Sequence, residues 1–245
     1  MSDTAAAAPP PAAGIGAVEA VVGTFTKPSD TFGRLVARPT WWLPFVLSVV
    51  IGTLAYAVAL PKIDVERTIR DSVAKSGRTV SDAAIQQRLA FMKKWSNVFV
   101  AVGAVAAGAF FFVAPLVFWG GARAMGGEAR YTQVLAIWAH SSLPFVLSGL
   151  LSIPLFLKER DDSLTQDQAQ RVLASNLGAF VDDSAPAALR ELAASADVFS
   201  IAVLVLLVLG FRRLPGLSKS AATWTPIAVW VAAIGAKAAW KAVVG

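Results

Sequence analysis

The 245-residue chain has no cysteine, which removes disulfides, thiolate metal sites and cysteine nucleophiles together. It has one histidine, so no site that needs two can form. Charge is scarce as well. Asp, Glu, Lys and Arg make up 16% of residues, against about 25% in an ordinary soluble domain. No Walker loop, GxGxxG or HExxH occurs, nor any metal-spaced set of ligands. The catalytic inventory is therefore thin. No catalytic residue, metal or cofactor is expected, and the chain does not read as an enzyme.

What fills the chain instead is apolar. Hydrophobic residues make up 56% and mean hydropathy is +0.60. Five stretches stand out, at about 41–60, 95–119, 131–157, 197–213 and 222–243. A soluble helix buries only one face, whereas a run of ~17–25 apolar residues is favourable all round in lipid, where a helix satisfies its own backbone. The expected fold is an all-α polytopic membrane bundle of about five transmembrane helices. The fourth run is marginal, because its fully apolar part, 201–210, needs flanking residues to span. Trp41 and Trp42 open the first stretch, Trp95 and Trp119 bracket the second, and Trp224 and Trp240 the fifth. Tryptophan favours the interface, where its ring is apolar and its N–H finds a partner. The formal charge of +6 fits cytoplasmic loops and anionic lipid, and nucleic acid is not an expected partner.

Three further regions frame the spans. Residues 1–13 form an Ala/Pro tail, expected to be disordered and not a signal peptide. Residues 14–40 carry Ile15, Val18, Val21, Val22 and Phe25 at helical spacing. Lys27–Pro28–Ser29–Asp30 breaks that helix and offers a new N-cap, and Phe32, Leu35, Val36, Arg34 and Arg38 follow. This predicts an interfacial amphipathic helix in the headgroup region. The loops 62–94 and 158–196 read as extramembrane helical hairpins. Ile63, Ile69, Val73, Ile85, Leu89 and Met92 make the stripes of the first, and Val172, Leu173, Leu177, Phe180, Leu189 and Leu192 those of the second. By Lys, Arg, Asp and Glu count they carry opposite charge, so they are expected to pack together as a cap. Counting Lys and Arg over all loops favours the N-terminus outside. Weighing only the short, acid-poor loops and Arg212–Arg213 favours it in the cytoplasm, the orientation adopted here, in a bacterial inner membrane.

Residues of chemical interest gather in the third span. Tyr131 and Gln133 open it, His140, Ser141 and Ser142 interrupt it, and Pro144 and Pro154 predict two kinks. An intramembrane histidine is a functional candidate, although a neutral imidazole bonded to a neighbouring helix is the more common role. Ser141 and His140 point ~100° apart on a helix, and no oxyanion motif accompanies them. Asp197, at the start of the fourth span, fits an N-cap better than an ion ligand. Asp161–Asp162 and Asp182–Asp183 lack EF-hand spacing. In the second span, Gly103/Ala107 and Ala104/Gly108 are small-xxx-small pairs, expected to pack against another helix of the bundle or against a second copy as a homodimer.

The run from Pro28 through Ser-Asp-Thr-Phe-Gly-Arg-Leu-Val-Ala-Arg-Pro-Thr-Trp-Trp-Leu-Pro44 resembles the segment before the first span in bacterial members of the Ypt-interacting-protein (Yip) domain family. Tyr131-Thr-Gln-Val-Leu-Ala-Ile-Trp-Ala-His-Ser-Ser-Leu-Pro144 is similar to its third-span pattern, and Asp197-Val-Phe-Ser200 to the start of its fourth span. The resemblance covers about residues 25–240 and implies five spans with a cytoplasmic N-terminus. Eukaryotic members bind small GTPases, but their Asp-Leu-Tyr-Gly-Pro signature is absent here, which argues against that partner. Two functions stay open. One is a non-enzymatic organiser that binds other membrane proteins or lipid. The other is a small transporter or channel subunit with a polar path along span three, lined by His140, Gln133 and Asp197.

Overall fold

The computed structural model describes residues 14–75, 79–175 and 197–244, with positions 181, 185 and 189 between them. The Ala/Pro tail and the stripe positions Leu177, Phe180 and Leu192 lie outside the described residues. The described chain is all-helical, with one isolated bridge between Ile63 and Leu164 in place of any strand. The elements are α1 (Ala17–Thr26), α2 (Pro28–Ala37), α3 (Trp42–Ala59), a short 3-10 turn (Leu60–Lys62), α4 (Val65–Lys75), α5 (Asp82–Ala124), α6 (Tyr131–Ser141), α7 (Leu143–Phe156), α8 (Gln166–Gln170), α9 (Val198–Phe211) and α10 (Lys219–Val244).

Three helical segments are long and apolar enough to cross a membrane: Trp42–Lys62, Asp82–Ala124 and Tyr131–Phe156. The other two expected spans differ from these in physical terms. α9 is wholly apolar but has 14 residues, about 21 Å at 1.5 Å per residue, less than the ~30 Å of hydrocarbon. α10 has the length, with 26 residues, but Lys, Ser, Thr and Trp dilute its apolar character.

α5 is the longest element. Its 43 residues amount to ~64 Å, about twice the hydrocarbon thickness. No proline or glycine interrupts 82–102, so the boundary expected at 94/95 is no break, and the second arm of the first hairpin runs straight into the span. Ser81 caps this helix, its side chain accepting from the Ala84 N–H at 3.3 Å. Arg70 on α4 reaches both Glu66 and Asp82 at 2.8 Å and so ties the two arms together. The second loop joins them at its near end: Asp64 donates to the Leu164 carbonyl, Gln166 to the Thr68 hydroxyl, and Lys62 pairs with Asp161 at 2.7 Å.

The third span is broken once. α6 ends at Ser141 and α7 begins at Leu143 with Pro144 in its first turn. Proline has no N–H to offer the His140 carbonyl; the Ser142 N–H instead reaches both that carbonyl and the Trp138 carbonyl. Pro154 lies inside α7 without ending it, so the second expected kink is not a break.

The main core lies at one end of the bundle. Phe32 and Leu35 of α2, Phe118 and Ala122 of α5, Val134 and Ile137 of α6, and Leu207 and Phe211 of α9 are buried together there. The two short helices expected within 14–40 are present as α1 and α2, and they dock as a pair into this core. Arg34 closes the pair by donating to Glu19 and to the Gly14 carbonyl. Within the Lys27–Asp30 segment expected to offer a new N-cap, the N-cap residue is Lys27, with no side-chain cap hydrogen bond, and Pro28 occupies the first turn. The Ser29 hydroxyl is instead held by Arg213.

Candidate functional site

α6 is the most buried apolar helix. Every residue from Gln133 to Ser141 except Trp138 is buried, because α2, α5 and α9 surround it. Gln133 uses both ends of its amide: its oxygen accepts from the Arg130 N–H at 2.8 Å, and its nitrogen donates to the Val36 carbonyl at 2.9 Å. It clamps the start of the third span to the last turn of α2. Tyr131 donates its hydroxyl to the Phe112 carbonyl at 2.6 Å. Trp119 donates to Ala129 at 2.9 Å across the same corner. These contacts fix the angle at which α6 leaves α5.

His140 is 1% exposed. Its Nδ1 lies 3.0 Å from the Ala136 carbonyl, which can only accept, so in the neutral ring Nδ1 carries the hydrogen and Nε2 is an acceptor. That Nε2 has no hydrogen-bond partner among the described residues, and neither has the Ser141 hydroxyl beside it. Ser142 behaves as an ordinary helical serine, bonded to the Trp138 carbonyl at 2.8 Å. Asp197 is the N-cap of α9, accepting from the Ser200 N–H at 3.1 Å.

The polar residues are not brought to one place. His140 stands seven residues along α6 from Gln133, ~10 Å at helical rise. α9 meets α6 near its own C-terminal end, where a Cβ at Gly210 would collide with the Ile137 side chain. Asp197 lies 13 residues earlier on α9, ~20 Å away. The side chains between, Val134, Ile137, Leu206 and Leu207, are buried and apolar.

The small-residue pairs of the second span meet no partner among the described residues. Ala101 to Phe110 are exposed apart from partly covered Gly108, and a Cβ at Gly103 or Gly108 would meet nothing within 4 Å. Of the two roles expected for Gly103, Ala104, Ala107 and Gly108, packing against another helix of the same chain is not seen among the described residues. Close helix approach occurs at other glycines. A Cβ would strike Thr31 from Gly23, Ile137 from Gly210, and Thr225 from Gly121. Sequence reasoning missed these three because single glycines in apolar helices carry no spacing signal.

The remaining polar feature is a surface cavity of about 400 Å³ lined by Ser29, Asp30, Gly33, Arg34 and Arg213, at the end of the bundle that holds the core.

The sequence that folds this way matches a known family. Residues 22–239 match the model of the Yip1 domain family. The chain belongs to the Yip1 domain family. It is similar to a protein of Bacillus subtilis (strain 168) described as "Membrane protein YknW", 26% identical over 218 residues, which cover 86% of this chain and 82% of the relative. No solved structure matches it significantly. Yip1-domain membership and the long apolar helices make this a multi-pass membrane protein. The match begins within α1, so most of the helical pair belongs to the Yip1 domain itself.

Proposed function

We propose that this Yip1-domain protein is a non-enzymatic membrane organiser that holds other membrane proteins, a second copy of itself included, against the uncovered face of α5. One observation carries the reading: within a helix long and apolar enough to cross a membrane, Gly103/Ala107 and Ala104/Gly108 stand exposed or nearly so, with none of the described residues packed against the two glycines. Lipid tails gain little from a small-residue face, whereas a second helix can approach its backbone closely. Family membership and the thin catalytic inventory support the same reading. The five-span topology, with α9 and α10 crossing, a cytoplasmic N-terminus and an inner-membrane location, is part of this proposal. Transport receives no support from the geometry, because His140, Gln133 and Asp197 stand apart with apolar side chains between them.

The absence of native cysteine makes the test clean. Single cysteines at Ala104, Val105, Ala106 and Ala107 are oxidised in native membranes. Crosslinks to a second copy or another membrane protein are expected at Ala104 and Ala107 and weak at Val105 and Ala106. Gly103→Leu with Gly108→Leu is expected to abolish them. No crosslink at any of the four positions, with unchanged co-purifying proteins in the leucine variant, sinks the reading.

A further inference from the structure

The cavity at the core end of the bundle carries two opposite charges that do not pair with each other. Its wall is Arg34, engaged by Glu19 and the Gly14 carbonyl. Across from it, Arg213 donates to the Ser29 hydroxyl, a neutral partner that leaves the guanidinium charge uncompensated. Asp30, exposed in the first turn of α2, lines the same cavity and has no ion-pair or hydrogen-bond partner among the described residues. Gly33 presents no side chain, and a Cβ there would meet nothing within 4 Å, so the floor of the cavity is open to the α2 backbone.

The depth of this cavity follows from its neighbours. Arg213 comes two residues after Phe211, the end of the wholly apolar α9. Val18, Val22 and Phe25 of α1, at positions i, i+4 and i+7, are more than half exposed on the outside of the helical pair. An apolar stripe on a short helix beside arginines lies at the boundary of headgroups and acyl chains. The segments 14–40, 120–130 and 212–219 are basic in sequence, with Lys27, Arg34, Arg38, Arg123, Arg130, Arg212, Arg213 and Lys219 against only Glu19, Asp30 and Glu128.

We propose that this cavity binds a phosphoethanolamine headgroup, with the phosphate on Arg213 and the primary ammonium on Asp30. A guanidinium matches a phosphate through charge-assisted hydrogen bonds. The carboxylate would repel a purely anionic headgroup, and it accepts from an ammonium hydrogen that a quaternary choline lacks. The volume suits a headgroup and not a whole lipid. The site does not depend on what α5 touches.

The test is thermal unfolding of the full chain in mild detergent with phosphatidylethanolamine, phosphatidylglycerol or phosphatidylcholine added at equal mole fraction. Phosphatidylethanolamine near saturation is expected to raise the midpoint by about 5–10 °C, well beyond the other two. Arg213→Gln is expected to lose that rise. Asp30→Asn, at an exposed position, is expected to erase the preference over phosphatidylglycerol while keeping a shift with both. Each variant is first required to unfold cooperatively without lipid. Equal shifts from all three lipids, or a preference that survives in both variants, overturns the proposal. Soluble phosphoethanolamine alone giving the full shift overturns the membrane source.

Discussion

The core end of the bundle and the middle of α5 use the same kinds of residue to opposite effect. At the core end, Gly23, Gly121 and Gly210 stand where a single added methyl would strike a neighbouring helix, and Phe32, Leu35 and Phe211 are fully buried. In the middle of α5, Gly103 and Gly108 face open space, and Val102, Val105 and Phe110 are 59%, 73% and 63% exposed. The buried share of an 18-residue apolar stretch within each candidate span makes the same contrast: 56% in α6–α7, 17% in α5 and 6% in the segment that α3 opens. Small residues permit close approach without causing it. Approach happens where bulky neighbours such as Ile137 already supply the opposing surface.

Substitutions can break this comparison. The largest effect is expected for Phe32→Ala, which empties a fully enclosed site and should cost ~3–5 kcal/mol, read as the loss of cooperative unfolding in detergent. Phe110→Ala on the exposed face should change the midpoint little. Equal losses at the two sites would mean that α5 is covered within the folded chain. Next, Gly210→Val should cost ~1–3 kcal/mol by overpacking against Ile137, while Gly103→Val at the uncovered site should stay within ~0.5 kcal/mol in monomeric protein. A large loss at Gly103 only under conditions that keep a partner bound would sharpen the contrast.

The smallest effect concerns the clasp of the helical pair. A hydrogen bond from Arg34 holds the Glu19 carboxyl below its ordinary value of 4.5. A depressed carboxylate contributes stability above its unfolded value and loses it as pH falls through the lower native value. Both groups of this pair reach solvent, so the gain is slight and salt-screened. Hydrogen exchange of α1 amides should quicken modestly below pH 4.5, and Glu19→Gln should remove that pH dependence.

Much of the site was legible in sequence because it follows from local chemistry. Asp197 caps α9 since a carboxylate three residues before a serine N–H has few alternatives. Pro144 ends α6 because it withholds a donor from the preceding turn. The Glu66–Arg70 pair follows from i,i+4 spacing alone. The role of Gln133 was not legible: its partner, the Val36 carbonyl, is 97 residues away. The fate of Ser29 depended likewise on Arg213, 184 residues on. Such pairings have no signature in either segment, since serine and glutamine accept many partners.

By itself, the sequence determined that the chain is helical and resides in a membrane, because length and apolarity act one residue at a time. The tertiary structure decided which faces meet. It drew α1 and α2 into the core, left the small residues of α5 uncovered, separated His140, Gln133 and Asp197, and set Asp30 and Arg213 around one cavity. Those outcomes rest on complementarity between surfaces distant in the chain, and neither surface encodes its partner alone.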